Sequence, residues 1–152
     1  MIYVASSWRN PLQSQVVAAL RRPLPGHPNG SRGLKVYDFR NPGPGDHGFH
    51  WSEIDRGWHQ WTPEQYIAAL DHPLALAGFE KDMSALRDCT TCILVLPCGR
   101  SAHLELGWAC GAGKHTAILI DSGEPELMNK MVDFITPDLD AMVQWAWKVE
   151  TF

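Results

Sequence analysis

The chain has 152 residues, 45% of them hydrophobic and 20% charged, with a formal net charge of −4 at pH 7. That length suits one domain with a substantial core, and the charge balance argues against a large basic footprint for nucleic acid. No apolar run approaches the roughly 20 residues that span a bilayer, and the start Met1-Ile2-Tyr3-Val4-Ala5 lacks the features of a signal peptide, so a cytoplasmic location is expected.

In chain order, Ile2–Ala5 reads as a first strand and Leu12–Arg22 as a first helix. Pro23–Arg32, rich in Pro and Gly, reads as an exposed connection to a second strand at Leu34–Phe39. Asn41–Thr62 has no periodicity and is longer than a packing connection needs. It carries Phe49, Trp51, Trp58 and Trp61 with His47, His50 and His59, whereas disordered linkers are poor in aromatics. An ordered loop covering a site is expected there. Helices follow at Pro63–Leu70 and Leu74–Arg87, then a strand at Cys92–Pro97, a helix at Ala102–Ala112 and a strand at Thr116–Ile120. Val132–Ile135 is a weaker fifth strand. In the last helix, Leu139–Val149, the residues Leu139, Met142, Val143 and Ala146 form one core-facing stripe. Alternating strands and helices predict an α/β domain with an open parallel sheet. The continuous apolar runs of the third and fourth strands are those of strands covered by helices on both faces.

Cys89-Thr90-Thr91-Cys92 has metal or redox spacing, but no second Cys pair accompanies it and Cys92 leads straight into Ile93-Leu94-Val95-Leu96. Buried small hydrophobes are the expectation for these thiols, with all four cysteines free in a reducing cytoplasm. His47, His50, Glu53 and Asp55 match no familiar ligand set, so no metal is expected and no cofactor.

Two carboxylates stand in apolar places. On Leu74–Arg87, at about 100° per residue, Ala75, Leu76, Phe79, Met83 and Leu86 share one face, and Asp82 falls within it. A carboxylate there must be paired, hydrogen-bonded or facing a cavity; it is either a structural acid or a functional one. Glu105 is the sole acid of Ala102–Ala112, with Ala102, Trp108, Ala109 and Ala112 around it on the helix surface. Ser101 reads as the N-cap of that helix, which leaves Glu105 one position beyond a capping box. In an open parallel sheet, ligands bind beyond the carboxyl ends of the strands at the switch point in strand order. There the segment Ser6-Ser7-Trp8-Arg9-Asn10 and the turn Cys98-Gly99-Arg100-Ser101 are expected to meet. Two carboxylates in different environments beside one cleft suit glycosidic chemistry, one attacking the anomeric carbon and the other managing a proton.

At these residues the chain resembles the nucleoside 2-deoxyribosyltransferase superfamily of nucleoside and nucleotide N-glycosidic bond enzymes. Ile2-Tyr3-Val4-Ala5-Ser6 looks like its first strand, Asp82 matches its aspartate on the helix before the central strand, and Glu105-Leu106-Gly107-Trp108-Ala109 matches its Glu-[Leu/Ile]-Gly-aromatic-Ala block. The resemblance covers Met1–Ser7 and Phe79–Asp121. It implies a flavodoxin-like fold, a homodimer or higher homo-oligomer, and cleavage or exchange of an N-glycosidic bond. Glu105 would attack C1′, Tyr3 would approach that glutamate, and Asp82 would assist. Ser7, Trp8, Arg9, Asn10, Gly99, Arg100 and Ser101 are the expected substrate contacts, with Trp51 from the long loop.

The turn before Glu105 departs from the family's Asp-Ser-Gly or Ser-x-Gly pattern. Glu126, before Leu127-Met128, stands where family members place a polar Asn or Ser that a neighbouring subunit brings to the 5′ end of the ligand. A carboxylate there repels a 5′-phosphate and accepts from a 5′-hydroxyl, whereas Arg9 and Arg100 favour a phosphate. The expected partner is therefore a small nucleoside or nucleotide, with no membrane and no stable nucleic-acid binding. Trp51, Trp58 and Trp61 either stack on a base or bury the loop. Two rival readings remain open: a nucleotide-sensing domain without turnover, and an NAD-cleaving glycohydrolase.

Overall fold

In a strand, successive side chains point to opposite faces, and this alternation divides the core in two. In β1 (Ile2–Ala5), Ile2 and Val4 face one side while Tyr3 and Ala5 face the other. In β3 (Thr91–Val95), Ile93 and Val95 join the first side, and Cys92 and Leu94 the second. The computed structural model describes residues 1–151. Its sheet also contains β2 (Val36–Asp38), β4 (His115–Leu119) and β5 (Phe134–Thr136), in the order β2-β1-β3-β4-β5 with every pair parallel.

Helices cover both faces. Val16, Val17 and Leu20 of α1 (Leu12–Arg21) and Met142 and Ala146 of α5 (Leu139–Thr151) pack on the Ile2 side. Ala85 and Leu86 of α3 (Pro73–Asp88) and Ala102, Leu106 and Ala109 of α4 (Arg100–Gly111) pack on the Tyr3 side. The short α2 (Pro63–Leu70) begins with Thr62 and Gln65 in a reciprocal capping box and Pro63 at its first position. This is an α/β open parallel sheet of flavodoxin-like strand order. Among the described residues no helix is long and apolar enough to cross a membrane, and all four cysteines are free, Cys89 and Cys92 buried.

Several expected boundaries move, for local reasons. β2 is shorter than Leu34–Phe39, because the Asn41 amide already turns back to the Asp38 carbonyl. β5 begins later than Val132, whose amide is taken by Asn129 at the end of a 3-10 helix, Leu127–Met131. The N-cap of α4 is Gly99, in extended conformation, so Ser101 lies inside the first turn and does not cap the helix. On α3, Leu76 and Phe79 are exposed instead of core-facing, while Ala75 and Leu86 are buried as expected. The packed face is rotated toward Ala85, which keeps Asp82 at its margin.

Asn41–Thr62 is ordered, with 3-10 turns at Trp51–Glu53 and Trp58–Gln60. Gly48 has φ of 73°, and a Cβ there would lie 2.1 Å from the Phe39 carbonyl oxygen, so this bend requires glycine. A Cβ on Gly78 of α3 would lie 2.7 Å from the Phe49 Cβ; the missing side chain lets the loop rest on the helix. Lys81 pairs with Asp46, and the Trp8 indole donates to the Phe49 carbonyl at 3.1 Å.

Candidate functional site

β1 lies between β2 and β3, and the connections leaving β1 and β3 run to helices on opposite faces. A crevice opens where such connections diverge. The two segments expected there do meet. Ser6 Oγ donates to the Val95 carbonyl at 2.9 Å, and the Asn10 amide nitrogen donates to the carbonyls of Val95 at 3.2 Å and Pro97 at 3.0 Å. Asn10 is only 2% exposed, and its Oδ1 accepts from the Leu12 amide at 2.9 Å. Its polar groups are committed to holding the crevice wall, which departs from the ligand contact expected of it.

Arg40 was not singled out by sequence reasoning. Its Nη2 donates to the carbonyls of Ser7 at 2.6 Å, Trp8 at 2.9 Å and Asn10 at 2.8 Å. The guanidinium also lies 5.8 Å from the Trp8 ring centroid. One side chain after β2 thus fixes the whole turn after β1. No periodicity marks such a clamp, because its partners are main-chain oxygens distant in sequence.

On the α3–α4 side of the sheet lie four polar side chains. Tyr3 and Tyr37 are register partners on adjacent strands, and their rings stack with centroids 5.3 Å apart at 21°. The Tyr37 hydroxyl donates to Asp82 Oδ1 at 2.7 Å. The Tyr3 hydroxyl is buried and without a hydrogen-bond partner in normal geometry, although it is close enough to Glu105 for each to alter the other's titration.

The electrostatics bind these groups together. Burial, then the charge of Asp82, pushes Glu105 up to about 8, the Tyr3 phenol offsetting a part. Burial also raises Asp82, against the lowering influence of the Tyr37 hydrogen bond and Lys81; Asp46 adds to the rise. Both tyrosines are raised well above their ordinary value, chiefly by burial, with Glu105 and Asp82 contributing. Cys98, in the turn after β3, is pushed up to about 11 by burial and by Glu105. A site that places two acids in one poorly solvated region can hold them in different protonation states, which acid–base and covalent glycosyl chemistry both require.

The remaining expected contacts divide. Ser7 is half-buried, with its hydroxyl accepting from the Arg9 amide, and Trp8, Arg9, Gly99, Arg100 and Ser101 are exposed on the turns that frame the crevice. Glu126 is exposed, just before the Leu127–Met131 turn. Trp51 packs edge-to-face against Phe49, Trp61 and Tyr66, at centroid distances of 5.0, 5.6 and 6.0 Å. The Trp61 indole donates to Asp55 at 2.7 Å. These contacts favour the packing role over base stacking. Trp51→Ala is accordingly expected to cost about 2–3 kcal/mol of stability, somewhat under a fully buried Trp deletion. Denaturant unfolding checks this, and an unchanged midpoint would return Trp51 to the ligand.

Among the described residues no group of three or more His, Cys, Asp or Glu is placed to hold a metal ion. No family model matches the chain, and no curated protein matches it.

Proposed function

We propose that the protein cleaves or exchanges the N-glycosidic bond of a nucleoside or nucleotide, with Glu105 as nucleophile and Asp82 as the second carboxylate that positions the sugar. What supports this reading most is that Asp82 and Glu105, from two different helices, share one poorly solvated region, with Asp82 bound to Tyr37 at 2.7 Å, Tyr37 stacked on Tyr3, and Glu105 beside Tyr3. The ionised Glu105 attacks C1′ while the bond from C1′ to the base nitrogen breaks. Its electron pair leaves with the base, whose nitrogen takes up a proton from water, while the charged Asp82 holds the sugar in place. The product is a glycosyl ester on Glu105. Water, or a second base, then attacks C1′ and returns the carboxylate. Tyr3, beside Glu105, is placed to orient it.

Incubation with nucleosides, nucleotides and NAD, followed by chromatography for free base, tests the activity. Release from none of these substrates would leave a binding domain, and release from NAD alone would move the reading to an NAD glycohydrolase. The pH dependence tests the role of Glu105. With its carboxyl at about 8, about one in ten is ionised at pH 7. The value of kcat/KM, which reports the free enzyme, is expected to rise about ten-fold from pH 7 to a plateau above pH 8. A decline through the same range would make Glu105 the proton donor instead.

The reading extends to a homodimer or higher homo-oligomer. Leu127 is 85% exposed, Leu104 76% and Phe79 62%, apolar side chains that a second copy of the chain would cover. Sedimentation equilibrium is expected to give a mass of at least two chains, and a single-chain mass across micromolar concentrations removes this part.

A further inference from the structure

Tyr37 stands in a different position from every other polar group of the site. Its ring is fixed by stacking on Tyr3, its register partner across β1 and β2, and its hydroxyl donates to Asp82 at 2.7 Å. A short hydrogen bond from a neutral phenol to a carboxylate favours the charged form of the acid. We infer that Tyr37 is the positioning residue of this site: stacked on Tyr3 and donating to Asp82, it holds the Asp82 carboxylate aimed and charged. This rests on the glycosidic reading for its catalytic meaning, but not for its geometry.

The coupling has a definite sign. The Tyr37 hydrogen bond lowers Asp82 against the effect of burial, and the charge of Asp82 raises Glu105. Without the hydroxyl, Asp82 holds its proton to higher pH. The titratable and charged groups that face the pair are Tyr3 from β1, Cys92 from β3, Lys81 from α3, Asp46 from the long loop and Cys98 from the turn after β3. Lys81 is itself engaged by Asp46, so it does not replace the hydroxyl.

The test is carbon-13 carboxyl titration of Glu105 and Asp82 in the wild type, Tyr37→Phe, Asp82→Asn and the double variant. Tyr37→Phe keeps the stacked ring and removes one oxygen. It is expected to move the Asp82 midpoint to higher pH. Asp82→Asn is expected to move the Glu105 midpoint down from about 8, and adding Tyr37→Phe to it changes nothing further. An Asp82 midpoint that stays put in Tyr37→Phe overturns the inference, as does a movement of Glu105 when Tyr37→Phe is added to Asp82→Asn. Should Tyr37→Phe not fold, a ring-fluorinated tyrosine at position 37 strengthens the same hydrogen bond and is expected to lower the Asp82 midpoint; no fall overturns it. These titrations need no substrate, so they stay decisive even if the glycosidic reading fails. On a confirmed substrate, Tyr37→Phe is expected to lower kcat about ten-fold or more, because Asp82 is no longer held in place.

Discussion

Glu105→Gln is expected to reduce turnover on a confirmed nucleoside or nucleotide by about a thousand-fold or more, with little change in ligand affinity. Gln fills the same space and keeps an oxygen toward Tyr3, but its amide cannot form the glycosyl ester. Losing a covalent nucleophile removes an entire reaction route, so the effect exceeds that of a lost orienting contact. Glu105 lies half-buried in the second turn of α4, between the buried Ala102 and Ala109. A side chain of unchanged shape there disturbs no packing. Single-turnover base release, paired with calorimetric ligand binding, separates the two quantities. Turnover within ten-fold of wild type would remove Glu105 as nucleophile.

The same substitution is expected to stabilise the fold, and only on the alkaline side. The folded protein holds the Glu105 proton up to about 8, against an ordinary value of 4.5. An acid raised in the folded state binds more protons folded than unfolded, so stability falls as pH rises from the unfolded value through the folded one. The loss is absent near pH 4, grows through neutrality and is complete above pH 8. Allowing for partial solvation and for coupling to Asp82, the ionised carboxyl costs about 2–3 kcal/mol. Glu105→Gln removes that cost. At pH 9 it is expected to melt about 4–12 °C above wild type, while at pH 4.5 the two melt together. Thermal unfolding at the two pH values checks it. Equal melting at both would mean that Glu105 is well solvated, and would weaken its candidacy as a tuned catalytic group.

How far the sequence reached depends on the range over which each feature is encoded. The alternation of Ile2 and Val4 against Tyr3 and Ala5, and the unbroken apolar run of β3, are local patterns that a strand imposes on its own residues. They carried the parallel sheet, its helices on both faces and the approach of the segments after β1 and β3. Asp82 and Glu105 were also legible, since a lone acid on an apolar helix face stands out from its own neighbours. The strands β2 and β5 were legible but their bounds were not, because these are set by the turns at Asn41 and Asn129.

Tertiary structure alone decided the rest. Tyr37 becomes part of the site because the register of two parallel strands sets it beside Tyr3, and because α3 crosses near enough to present Asp82 to its hydroxyl. Asn10 turns from ligand contact to buried clamp once the Val95 and Pro97 carbonyls lie over it. Arg40 gains its role from three carbonyls some 30 residues away along the chain. Periodicity assigns a residue to a face of its own element, but a hydrogen bond requires a partner on another element, and that partner is fixed only when the sheet register and the helix packing are fixed.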